Sequence, residues 1–123
     1  MSFHSLGLDP QLLENVAAQG YALTTPIQKK AIPAILAGRD VVGLAQTGTG
    51  KTAAFVLPLL HRLLSGPRRQ LRALIVGPTR ELAEQTKDVL AQLGARTGFR
   101  TVSIYGGVGQ RPQVDGVRQG AEI

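Results

Sequence analysis

Short unbroken apolar runs alternate with longer mixed stretches along this chain. Val41–Ala45 (VVGLA) shows no polar alternation and is bounded by Arg39-Asp40 and a glycine-rich turn, the pattern of a strand buried on both faces. Ala73–Val76 (ALIV) is a second such run, closed by Gly77-Pro78, and Thr101–Tyr105 supplies a third strand before Gly106-Gly107. Between the first two runs, Lys51–Leu64 reads as a helix. After the second, Arg80–Leu93 reads as another, with Leu82, Val89, Leu90 and Leu93 near one face. Asp9 ahead of Pro10 is an N-cap followed by a first-turn proline and opens a helix that Gly20 stops. Thr25 and Pro26 repeat the device for IQKKAIPAILA, where Pro33 is expected to end or kink the helix before Gly38. Gln110–Gln119 is a candidate last helix. Strands alternating with helices predict an α/β fold, a parallel sheet layered with helices.

Composition sharpens the picture. A chain of 123 residues with 43% hydrophobic content holds one small domain and is not disordered throughout. Its longest greasy stretch, Ala53–Leu64, is interrupted by Pro58, His61 and Arg62, so nothing reads as a membrane span. Met1–Pro10 lacks the pattern of a secretory leader, and the expected location is cytoplasmic. Without cysteines, and with only His4 and His61, neither disulfides nor a thiolate or histidine metal site is available. A formal net charge of +6 favours polyanionic partners, nucleic acid among them.

The sharpest chemistry lies in AQTGTGKT, Ala45–Thr52, which follows a predicted strand and opens a predicted helix, the context a phosphate loop requires. Gly48 and Gly50 allow a tight turn that aims backbone N–H groups of Gln46, Thr47, Gly48, Thr49, Gly50 and Ala53 inward, at the positive end of the helix dipole. Lys51 would reach the β- and γ-phosphates, and the Thr52 hydroxyl would touch a Mg²⁺ that bridges phosphate oxygens. A lysine at a helix N-terminus is otherwise misplaced, since the dipole disfavours a cation there by about 0.3–1 kcal/mol. An anion beside it removes the conflict. Ala45 stands where the pattern normally begins with glycine, at the strand end and away from the phosphates.

With these residues in view the chain resembles the DEAD-box ATP-dependent RNA helicases, and specifically the N-terminal part of the first of their two RecA-like domains. Gly20–Gln28 (GYALTTPIQ) is similar to the family's Q motif, preceded by an aromatic, Phe3; Ala45–Thr52 is like its phosphate loop; Pro78–Gln85 (PTRELAEQ) resembles motif Ia; and Gly106-Gly107 resembles its GG element. The resemblance covers essentially residues 1–123 and implies a P-loop NTPase with a RecA-like parallel sheet, helices on both faces, and ATP with Mg²⁺ as ligands. It departs from the family at Thr24, where proline is usual. Each block also carries its own chemistry. The Gln28 amide, one donor and one acceptor side, can pair with adenine N6 and N7; the alternative is a solvated residue in a first helical turn. Tyr21 offers a ring to the base, and Thr25 can cap the helix and steady the loop. Pro78, Thr79, Arg80 and Glu81 lie at a strand end and helix start, where hydroxyl, guanidinium and backbone N–H groups suit a nucleic-acid backbone. On the residues alone they are equally a capped helix with an exposed arginine, and Gly106-Gly107 a plain turn. The resemblance implies RNA contact at both. Arg68, Arg69 and Arg72 have no family counterpart and read first as a solvated loop, second as auxiliary RNA contacts.

The acidic block and the second RecA-like domain that the resemblance implies do not occur among these residues, and no two acidic residues are adjacent anywhere. The expectation is therefore a fragment of a helicase that contacts nucleotide and RNA without turnover. Val41–Ala45, short of its flanking strands, is expected to be exposed and prone to self-association. The rival readings are a DNA helicase of the same P-loop class and a non-catalytic nucleotide- or RNA-binding module.

Overall fold

The computed structural model describes residues 1–123, in which five α-helices carry the architecture: α1 Pro10–Ala18, α2 Pro26–Leu36, α3 Lys51–Leu64, α4 Arg80–Leu93 and α5 Gln110–Arg118. A single 3₁₀ turn, Phe3–Leu6, precedes them. The starts follow from the caps. Asp9 accepts a hydrogen bond from the Gln11 N–H at 2.8 Å with Pro10 at the first helical position. Thr25 and Gln28 form a reciprocal capping box at the head of α2. Thr79 Oγ1 accepts from the Leu82 N–H at 3.2 Å to open α4.

Packing centres on α3, whose Ala53, Val56, Leu57, Leu60 and Leu63 are all buried. Around it lie Leu12 and Val16 of α1, Ile32 of α2, Leu90 and Leu93 of α4, and Phe3 and Leu6 of the 3₁₀ turn, in one contiguous cluster. Burying such side chains is worth about 1.5–3 kcal/mol each. That explains why α2 continues to Leu36 through Pro33. The proline deletes one intrahelical bond, but Ala31 and Ile32 are fixed just before it by packing and the capping box holds the first turn. The helix therefore does not end at Pro33. Asn15 adds a long-range tie: its buried Nδ2 donates to the carbonyls of Leu93 at 2.8 Å and Ala95 at 2.7 Å, closing the free end of α4 from α1. No helix is long and apolar enough to cross a membrane.

The three expected strands are extended or irregular segments, not members of a formed ladder. The one β-bridge, Ser2 with Leu23, is isolated and antiparallel. The reason is lack of neighbours. No backbone-to-backbone hydrogen bond reaches Val41–Ala45, and Val42 and Leu44 stand 91% and 90% exposed. Along Ala73–Val76 the pleat is visible in the burial: Ala73 and Ile75 pack on the core while Leu74 and Val76 are exposed. The helical cluster covers one face of Ala73–Val76, and α5 contributes no buried residue. Pairing begins only near Glu122. Arg72 and Ala73 donate to the Glu122 carbonyl at 2.9 and 3.0 Å, Glu122 donates to Arg100 O at 3.0 Å, and Val102 donates to Ile123 O at 3.0 Å.

Candidate functional site

The turn before α3 is built on two glycines. Gly48 and Gly50 sit at φ 81°, the left-handed region that glycine enters without steric cost, and Gly50 is the N-cap residue of α3. No side chain caps that helix end. Its first N–H groups are therefore donors without helical partners. Thr49 Oγ1 donates to the Gln46 carbonyl at 2.6 Å, tightening the turn across Thr47 and Gly48. Lys51 is exposed and its Nζ donates to the Ala45 carbonyl at 2.7 Å, folded over its own loop. Thr52 is half-buried; Ala53 turns its methyl into the core and can offer only backbone.

The Q-motif block meets this loop through one side chain. Gln28 is 4% exposed, so the solvated alternative does not hold. Its Oε1 accepts from the Thr25 N–H at 3.0 Å, and its Nε2 donates to the Gly50 carbonyl at 3.2 Å. A side chain added at Gly50 would run into that amide. The head of α2 and the head of α3 are thus pinned together at the phosphate loop, with one donor and one lone pair of the amide left over. Tyr21 is exposed and stacks its ring on Phe3, centroids 6.2 Å apart at 24°. That pairing, and the 3₁₀ turn that presents Phe3, carry no local sequence signal beyond an aromatic placed upstream.

A second cluster forms at the start of α4. Pro78, Thr79, Arg80 and Glu81 are all exposed. The Arg80 guanidinium lies over the Tyr105 ring, 5.4 Å from its centroid, and next to Gly107, which adopts φ 80°. A Cβ on Gly107 would occupy the place of that guanidinium. The motif Ia and GG blocks, 26 positions apart from Arg80 to Gly106, are neighbours in space. Tyr105 was not singled out as a functional residue from sequence. Its hydroxyl donates to Glu84 Oε1 at 3.1 Å, which raises the phenol above its ordinary value of 10.0, with the Glu84 charge acting in the same direction.

The Ser65–Arg72 loop is exposed from Ser65 to Leu71, with Arg68 and Arg72 tied down by contacts of their guanidinium groups. Arg72 donates to the carbonyls of Leu63 and Ser65, both at 2.8 Å, and of Pro67 at 3.0 Å, closing the end of α3. Arg68 lies 4.1 Å over the Phe99 ring, donates to Thr97 O and pairs with Glu122 at 3.6 Å. Glu122 is the missed partner. It is 1% exposed and accepts from the Arg69 and Arg100 N–H groups at 3.3 and 3.1 Å. No three His, Cys, Asp or Glu side chains gather to hold a metal ion.

The model of the DEAD/DEAH box helicase family matches residues 25–123. The DEAD-box ATP-dependent RNA helicase RhpA of Helicobacter pylori is 44% identical over 122 residues, covering 99% of this chain and 24% of that protein. The ATP-dependent RNA helicase DBP10 of Pyricularia oryzae is 51% identical over 106 residues, 85% of this chain and 12% of that protein. Among solved structures, a DEAD box protein from Methanococcus jannaschii superposes with a TM-score of 0.91 at 35% identity, over 100% of this chain and 33% of that one. The RNA-helicase Prp28 from Chaetomium thermophilum bound to ADP superposes with a TM-score of 0.90 at 43% identity, over 99% of this chain and 31% of that one. The chain thus spans a third or less of the proteins it matches.

Proposed function

The chain belongs to the DEAD/DEAH box helicase family, and from that membership we propose that it is the ATP-binding portion of an ATP-dependent RNA helicase. The observation that carries this is the junction at Gly50: a glycine-built loop opening α3, with Lys51 at its lip and Gln28 of α2 hydrogen-bonded to its backbone. A triphosphate laid across that loop meets backbone N–H donors and an ammonium at one point, which a neutral ligand would not use. The adenine edge would be read by the remaining donor and acceptor of Gln28, with Tyr21 beneath the base and Thr25 fixing the turn. The Thr52 hydroxyl would touch a Mg²⁺ accompanying the nucleotide, which there spreads the phosphate charge.

Lys51 would withdraw from Ala45 to the phosphates, and the α4 start with Gly106-Gly107 would take the RNA backbone. Contacts of that kind ignore base identity, so little sequence preference follows. In the longer protein, nucleotide held here would draw the second RecA-like domain onto the same face and close both on one RNA strand, ATP acting as the switch on RNA affinity. Residues 1–123 would then be the N-terminal part of the first RecA-like domain. Its parallel sheet would be completed by further strands beside Val41–Ala45 and Ala73–Val76, with helices on both faces. These residues alone would bind without turnover, having no adjacent carboxylates to hold the metal and align water, and the exposed Val42 and Leu44 would drive self-association.

The test compares ATP hydrolysis by the full gene product with RNA, with DNA and with neither. Stimulation by RNA alone is the expected result. Equal stimulation by DNA would sink the RNA assignment, and no hydrolysis under any condition would leave a binding module.

A further inference from the structure

Arg80 and Glu84 lie four positions apart on α4, the spacing at which an arginine and a carboxylate on one helix face ordinarily pair. They do not pair here. The chain's one ion pair within 4.0 Å is between Arg68 and Glu122, and the Arg80 guanidinium donates no hydrogen bond. The Glu84 carboxylate is instead taken by the Tyr105 hydroxyl at 3.1 Å, while the face of the same ring lies under the guanidinium. Tyr105 is itself held: its N–H donates to Gln113 Oε1 at 2.8 Å, and Gln113 Nε2 donates to Gly109 O at 3.0 Å. Gly107, with no side chain and φ 80°, leaves the space in which the guanidinium rests.

We propose that Tyr105 is a positioning residue for nucleic-acid binding: its hydroxyl keeps Glu84 from neutralising Arg80, and its ring supports the guanidinium so that its N–H fork remains open to a backbone phosphate. An aromatic face attracts a guanidinium without using any of its five donors, whereas a carboxylate would occupy two. The difference decides what Arg80 can still bind. This inference rests on the reading of Arg80 as an RNA-backbone contact, so its test must separate the two.

The experiment is titration of a fluorescent single-stranded RNA with the full chain over a series of KCl concentrations, for wild type, Arg80→Ala, Tyr105→Phe, Glu84→Gln and the Tyr105→Phe/Glu84→Gln pair. Tyr105→Phe keeps the ring and releases Glu84. It is expected to weaken binding about two- to fivefold, the size of one exposed ionic contact, and to lower the salt slope by about 0.7, the release of counterions from one phosphate. Adding Glu84→Gln should restore both, which a merely structural defect at Tyr105 would not allow. Wild-type affinity and slope in Tyr105→Phe, with Arg80→Ala weakened, would overturn the inference and leave the RNA reading standing. Failure of Glu84→Gln to restore binding would overturn the shielding role. Arg80→Ala binding as wild type, or no binding by wild type at all, would overturn the RNA reading of Arg80 and this inference with it.

Discussion

Replacing Gln28 with alanine tests the junction on which the proposed nucleotide site depends. The side chain is 4% exposed and makes two hydrogen bonds, one with the Thr25 N–H and one with the Gly50 carbonyl. Each neutral bond contributes about 0.5–1.5 kcal/mol, so Gln28→Ala should destabilise the chain by about 1–3 kcal/mol. At about 4 °C per kcal/mol for a domain of this size, the thermal midpoint should fall by about 4–12 °C. If the remaining amide groups read adenine, a bidentate pair worth about 1–3 kcal/mol is lost as well, and any preference for ATP over GTP should collapse by about five- to 150-fold. The assay is calorimetric or fluorescence titration with ATP, GTP and inorganic tripolyphosphate, alongside thermal melts. Tripolyphosphate separates the two roles, since it has no base: its affinity should also drop, because Gly50 loses its anchor. An unchanged ATP-to-GTP ratio would refute the adenine role; an unchanged melting point together with unchanged tripolyphosphate binding would refute the anchoring role.

Other outcomes follow from the same geometry. Lys51→Ala should abolish measurable triphosphate binding while leaving the fold intact, since Nζ contacts only an exposed carbonyl; retained affinity would count against the phosphate loop. Glu122→Ala should cost about 3 kcal/mol or more, seen as a lowered thermal midpoint, because two backbone N–H groups and Arg68 lose a buried carboxylate; a shift near zero would show that water replaces it. Tyr105 has a raised folded-state pKa, so its bond to Glu84 adds stability that is fully present below pH 10.0 and is lost as pH climbs through the folded value. A phenolate absorbance titration, differenced against Tyr105→Phe, should give a midpoint above 10.0, and Glu84→Gln should lower it.

Much of the local structure was legible because its signals are local. Asp9-Pro10 and Thr25-Pro26 mark helix starts through dihedral preference and capping alone, and Lys51–Leu64 and Arg80–Leu93 run where spacing puts them. The glycine-built turn ahead of α3 was legible for the same reason. What sequence missed depends on partners distant along the chain. Pro33 reads as a breaker until the packing of Ile32 is known. The partners of Arg68 and Arg72, Glu122 and the α3 carbonyls, have no signal near the two arginines in sequence. Tyr105 had no motif of its own, and its meaning came from Arg80 and Glu84 on another element. Strands are the extreme case: VVGLA reads as a buried strand from its unbroken apolar run and still forms no ladder, because pairing belongs to two segments and pattern to one.

The resting place of Lys51 on the Ala45 carbonyl has a thermodynamic sequel. A lysine swinging freely in water gives up rotamer entropy, about 2 kcal/mol in full, when an anion immobilises it. Here part of that ordering is completed when the chain folds. A phosphate arriving at the proposed site would exchange a neutral oxygen acceptor for an anionic one at an ammonium already stationed over the loop, so less of the charge gained would be spent on ordering the side chain.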